Sequence, residues 1–227
     1  MPKSRFAEAW RQLTLDSVSY ISVVMVVLAA TMSLVVITLM PRYSSQVLGV
    51  NSENMVFVAT PAAVGIWLAL RFVGSMSRRY SAWWTIGGSF GMLVFCVMLL
   101  AFVRPLGRSL QDVNPFGVFD PGPFGDGTAR IIVTAAIASA LAFAFTFLNV
   151  IARTILNQRI PRDMQGRVFA GQTVLTNLAS IPPILAAGLL ADMIGVTPVF
   201  FLMAVLVAAL AAYFAARNQA MPARVRR

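Results

Sequence analysis

The side chains able to do chemistry are concentrated in one stretch, 153–168, R-T-I-L-N-Q-R-I-P-R-D-M-Q-G-R-V. There Arg153, Arg159, Arg162 and Arg167 share a connector with a single carboxylate, Asp163. Guanidinium forks beside one carboxylate and the Gln158 amide form charge-assisted hydrogen bonds, which latch helix ends together rather than carry a reaction. Anchoring to anionic lipid is the other use of the same charges. Catalytic groups are otherwise scarce. The chain has no His and one Cys, Cys96, so metal, haem and nucleophile–base constellations cannot be assembled. No catalytic residue, metal site or cofactor is expected, and the chain is not read as an enzyme. Cys96 lies inside an apolar run and reads as a small packing residue.

A second set of polar side chains is threaded through apolar runs. Tyr20, Thr31 and Thr38 are spaced by 11 and 7 residues, which on a 3.6-residue helix puts them within about 20° of one another. Ser139, Thr146 and Asn149 follow in a later run. Gln172, Thr173, Thr176, Asn177 and Ser180 follow in the next, just before Pro182-Pro183. Asn and Gln are costly in hydrocarbon unless they face protein or water, so that helix is expected to point inward. Tyr20, Thr31, Ser139, Thr146, Asn149, Gln172, Thr176 and Asn177 are the candidates for lining a polar pathway. An isolated Thr can instead hydrogen-bond back to its own helix.

The elements that must position these groups are membrane spans. The chain is 59% hydrophobic and 11% charged, far from the balance of a soluble domain. Six apolar runs, at about 18–40, 55–73, 83–103, 131–151, 168–190 and 198–216, each approach the roughly 20 residues a helix needs to cross a bilayer. The predicted class is an all-α membrane protein with a transmembrane domain over 17–217. Pro61, Pro182 and Pro183 are the predicted helix bends, since proline removes a backbone hydrogen bond. Gly87, Gly88 and Gly91 at the start of the third run predict close helix packing. The sixth run, without a polar residue until Tyr213, reads as lipid-facing.

A net charge of +10 would point to nucleic acid in a soluble protein, but the positions of the charges give a different answer. On one side fall Lys3, Arg5, Arg11, Arg71, Arg78, Arg79, the four arginines of the connector, Arg217, Arg224, Arg226 and Arg227. The other side has Arg42, Arg104, Arg108 and Arg130. Fourteen against four is the asymmetry of an oriented membrane protein and needs no nucleic-acid partner. It predicts a multi-pass protein of the cell membrane, with both termini and the connector cytoplasmic. Residues 1–16 place Phe6, Trp10 and Leu13 at helical spacing, as in an amphipathic segment on the inner surface. Residues 218–227 form a basic cytoplasmic tail. Residues 104–128, with N-P-F-G-V-F-D-P-G-P-F-G-D-G, are expected to be a long external Pro/Gly-rich loop.

Three spans, a long connection and three more spans give the chain an internal symmetry. The middle span of each triplet carries the proline, and the first carries a polar stripe. Matching interrupted helices in two halves point to two inverted three-helix repeats of a transporter unit.

Arg153, Gln158, Pro161, Gly166, Arg167 and Val168 resemble a connector of the major facilitator superfamily. The segment that follows, A-A-G-L-L-A-D-M-I-G-V-T-P-V-F with Gly188, Asp192, Gly195 and Phe200, resembles the last two helices of that superfamily. The similarity is greatest to its drug, macrolide and siderophore exporters, where the connector links the tenth and eleventh of twelve helices. Pro41-Arg42-Tyr43 is similar to an outer helix boundary of the same family. The resemblance covers nearly the whole chain, but only as a carboxyl-terminal half. It implies efflux of an unidentified small molecule by alternating access, with a second six-helix half supplied by another chain or a second copy. It also adds Arg79 to Arg153, Gln158, Asp163 and Arg167 as inner latch candidates. The family's inner-loop pattern survives only as Gly74 and Arg79, with Arg78 where an acidic residue would fall and Gln165 where many relatives carry arginine. The alternative is a non-transporting accessory or assembly membrane protein with the same half-fold.

Overall fold

The computed structural model describes residues 17–49, 56–79, 82–112, 128–159 and 162–219. The 1–16 segment, residues 113–127 of the long loop, Pro161 and the tail from 220 onward lie outside them. Among the described residues the chain is helical, with no strand. Its helices are α1 (Ser17–Tyr43), α2 (Val56–Arg79), α3 (Ala82–Ala101), α4 (Val103–Asp112), α5 (Thr128–Arg159), α6 (Arg162–Ile194) and α7 (Val196–Gln219), and a π turn at Ser44–Leu48 extends α1.

Among the described residues five stretches are long and apolar enough to cross a membrane: Tyr20–Leu48, Trp84–Ala101, Thr128–Gln158, Val168–Ile194 and Val196–Ala216. The chain is a multi-pass, all-helical membrane protein. From Val56 onward the expected span at 55–73 is part of α2, whose apolar part, Thr60–Ser75, is shorter than the other five.

Contacts at the two ends fix the directions of the helices. Val23 and Val27 of α1 cluster with Leu156 near the end of α5 and Val168 near the start of α6. We call this the connector end. At the opposite end, Arg42 of α1 pairs with Asp192 of α6, and the Tyr43 hydroxyl donates to the Leu100 carbonyl of α3 at 3.0 Å. The Tyr43 ring also packs on Phe200 of α7, with centroids 5.4 Å apart. Thus α1, α3 and α6 run toward the Tyr43 end, while α5 and α7 run away from it. Gly195, at φ 86°, separates α6 from α7 by one residue and donates its N–H to the Ala191 carbonyl, a left-handed turn that glycine adopts without steric cost.

The core is built by α1, α3, α5 and α7. Met32, Val35, Leu93, Val97, Leu148 and Phe200 are among its fully buried side chains. To this cluster α2 contributes Ala69 and α6 contributes Ala187 and Ala191, so these two helices lie at the periphery. The most extensive packing runs between α2 and α5; α1 packs on α6, and α3 on α5 and α7. Gly65 makes the first contact possible. A Cβ at Gly65 would collide with the Ser139 carbonyl and approach the Phe143 nitrogen to 3.1 Å. Ala69, one turn along, has no exposed surface. Small residues spaced by four let helix backbones approach, and in lipid such packing replaces the hydrophobic effect as the force between helices.

Three expectations change. Gly87, Gly88 and Gly91 are exposed with open space where a Cβ would sit, so the close packing belongs to Gly65 instead. The sixth run is not wholly lipid-facing, because Val199, Phe200, Ala204, Val207 and Ala211 of α7 form a buried stripe at helical spacing. Residues 104–112 of the expected loop are helical, in a helix that begins at Val103: Val103 and Gly107 are buried while Arg104, Pro105, Arg108 and Ser109 are exposed, a segregation of faces that stabilises a helix despite Pro105. Helices α2 and α6 continue through Pro61 and Pro182-Pro183.

Candidate functional site

The eight lining candidates divide between two helix pairs. On α1, Tyr20 is half-buried, Thr31 is buried, and Thr38 is exposed, donating back to the Leu34 carbonyl at 2.8 Å. On α6, Gln172 is buried, Thr176 is half-buried and Asn177 is exposed. The Thr31 hydroxyl and the Gln172 Oε1 find no hydrogen-bond partner among the described residues. A buried polar atom left in that state costs about 1–3 kcal/mol. Thr31 lies one turn beyond Val27 and Gln172 one turn beyond Val168, and Val27 and Val168 share one cluster. The i, i+4 rule therefore places both orphan groups at one level of the α1–α6 pair.

The α5 candidates behave differently. Ser139, Thr146 and Asn149 are half-buried. Ser139 has its peptide pinned beneath Gly65, and Asn149 donates to the Phe145 carbonyl of its own helix at 2.9 Å. Along α6, Thr173 bonds back to the Phe169 carbonyl and Ser180 to that of Asn177. The expected inward-pointing helix thus splits its polar residues: Gln172 and Ser180 turn inward, Thr173 and Asn177 outward.

At the connector end, Arg153 and Gln158 are exposed. Arg79, Asp163 and Arg167 stand on α2 and α6, and their side chains lie outside the described residues. A tie across the connector comes from Gln165, whose amide donates to the Asn157 carbonyl at 3.0 Å, joining the start of α6 to the end of α5.

Among the described residues the densest polar organisation is at the Tyr43 end, around the π turn. Ser44 donates to the Pro41 carbonyl at 2.8 Å and Ser45 to the Arg42 carbonyl at 3.0 Å. Gly49 closes the turn with its N–H on the Ser44 carbonyl. Arg104 of α4 donates to the Gln46 carbonyl, and Arg130 of α5 to the Val47 carbonyl at 3.1 Å. The last carbonyls of a helix have no partner within it and carry its negative dipole end, so guanidinium donors suit them. Together with the Arg42–Asp192 pair, these bonds gather α1, α4, α5 and α6 at one point. In the sequence Arg104 and Arg130 read only as charges on the disfavoured side, and Arg42 as one of those charges and as part of the Pro41-Arg42-Tyr43 helix boundary. That they persist there, beside Pro41 and at span ends, was the available signal.

No protein-family model, curated protein or solved structure matches this chain.

Proposed function

We propose that this chain is one half of an alternating-access transporter for a small molecule, resembling the carboxyl-terminal half of a major facilitator superfamily exporter. In this reading α2 is also a span. Its 24 residues extend about 36 Å at 1.5 Å per residue. It carries the chain from the Tyr43 end, where α1 finishes, back to the connector end, where α3 begins. Six spans then form two inverted triplets, α1–α3 and α5–α7, with both termini on the cytoplasmic face of the cell membrane, as the positive-inside asymmetry predicts.

The observation that carries the reading is the exchange of middle helices: α2 packs on α5 and α6 packs on α1. The first triplet's middle helix lies on the second triplet's first helix, and the reverse. An inverted repeat predicts this reciprocity, whereas two independent three-helix bundles would each keep their own middle helix. The exposure of Asn177 on α6 adds a requirement. A carboxamide facing hydrocarbon is unfavourable, so a second half and a watered pathway between the two are the expected neighbours of this face.

Counterflow in proteoliposomes tests the proposal. The chain and a candidate second half, or the chain alone at a density that permits self-pairing, are challenged with a panel of amphipathic organic solutes. Saturable exchange of at least one solute that requires the chain supports transport. Associated, folded protein with no exchange of any solute would favour the accessory-protein reading.

A further inference from the structure

Helix α4 stands apart from the pathway and has chemistry of its own. Its position is fixed by three contacts: Arg104 donates to Gln46 at the end of α1, Gly107 lies against the Arg130 side chain near the start of α5, and α4 follows the end of α3 after Phe102 alone. Three apolar stretches therefore finish at its level, at Leu48, Ala101 and Thr128, which places α4 at the membrane–water boundary. Its buried face, Val103 and Gly107, rests on the protein, and its free face presents Arg104 and Arg108 one turn apart. Beside Arg104 in the chain, exposed Phe102 meets exposed Phe201 of α7 edge-on, with ring centroids 6.1 Å apart.

We propose that α4 is a phospholipid-binding collar. Arg104 and Arg108 take the phosphodiester of an anionic phospholipid in the adjoining leaflet, and the Phe102–Phe201 pair receives the upper part of its acyl chains. Guanidinium forks match phosphate oxygens, and basic residues at the boundary attract anionic headgroups. Exposed aromatic rings at the membrane boundary face the acyl region. The occupant is a lipid rather than a soluble anion because α4 lies where three apolar stretches end and the exposed Phe102–Phe201 pair begins an apolar surface next to it in the chain, which free phosphate would leave uncovered. This site is independent of the transport reading, since it touches none of the lining candidates.

The test uses the full chain in vesicles, with Phe102→Trp as the reporter and the four native tryptophans replaced by Phe. Quenching by acyl-brominated phosphatidylglycerol is compared with quenching by acyl-brominated phosphatidylcholine in mixed bilayers. The reporter should prefer phosphatidylglycerol, and Arg108→Gln should reduce that preference by about five-fold, the factor for one charge near an anionic surface. Raising the salt should weaken the preference, and inorganic phosphate at constant ionic strength should leave it unchanged. Equal quenching by the two lipids in the protein that keeps both arginines would overturn the proposal. So would a preference that survives replacing Arg104 and Arg108 together by Gln, or one abolished by phosphate at constant ionic strength.

Discussion

The backbone of Gly65 in α2 lies directly against the Ser139 carbonyl of α5, so close that a Cβ would stand 2.8 Å from the carbonyl carbon. This is the tightest glycine contact among the described residues, within the most extensive helix pair of the molecule. Gly65→Ala must push the two helices apart, and overpacking of this kind costs about 1–3 kcal/mol. Gly87→Ala, with open space around it, should be neutral or stabilise by about 0.5–1 kcal/mol through helix propensity. Denaturant unfolding in mixed micelles compares the two. Equal effects would show that α2 does not dock on α5 through Gly65.

Tyr43 is fully buried, and its hydroxyl reaches across to α3. Tyr43→Phe keeps the ring against Phe200 and removes the bond to the Leu100 carbonyl, so it should lower stability by about 1 kcal/mol. Tyr43→Ala removes the ring as well and should cost about 3–5 kcal/mol. Thermal unfolding that ranks the two variants equal would mean the ring contributes nothing at this junction.

The Arg42–Asp192 pair joins the same ends of α1 and α6, but both partners are partly exposed, at 36% and 63%. Exposed ion pairs contribute about 0–1 kcal/mol, so the account predicts a small positive coupling in a double-mutant cycle of Arg42→Gln and Asp192→Asn. The coupling should shrink as salt is raised. Additive single effects would leave the pair without an energetic role.

Much of the helical framework was legible because length and apolarity alone identify a helix that can cross a bilayer. Which side of each helix faces the core was not. In a membrane the core and the lipid are both apolar, so the buried stripe of α7 at Val199, Phe200, Ala204, Val207 and Ala211 leaves no hydropathy signature. Glycine spacing was ambiguous for a related reason: Gly87 and Gly91 show the small-residue pattern as well as Gly65 and Ala69 do, and only the partner's backbone distinguishes them. Thr31 and Gln172 stood out as pathway-lining candidates because polarity inside an apolar run is conspicuous, but the sequence carried no sign that both side chains are buried. Arg104 and Arg130 were missed as helix-end donors because their acceptors are carbonyls far away in the sequence, and backbone acceptors carry no residue signal.

The central claim is that the exposed face of α6 is one wall of a watered pathway completed by a second six-helix half. Thiol accessibility at Asn177 tests it most directly. In a chain carrying Cys96→Ser, Asn177→Cys is treated in the membrane with a charged, water-soluble methanethiosulfonate reagent, and Phe95→Cys, on the exposed face of α3, serves as the lipid-facing reference. Thiols react as thiolates, which form in water and not in hydrocarbon. The account predicts rapid modification at position 177 and none at 95. An unreactive thiol at 177 that is quenched by lipid-borne spin labels as strongly as the one at 95 would contradict it.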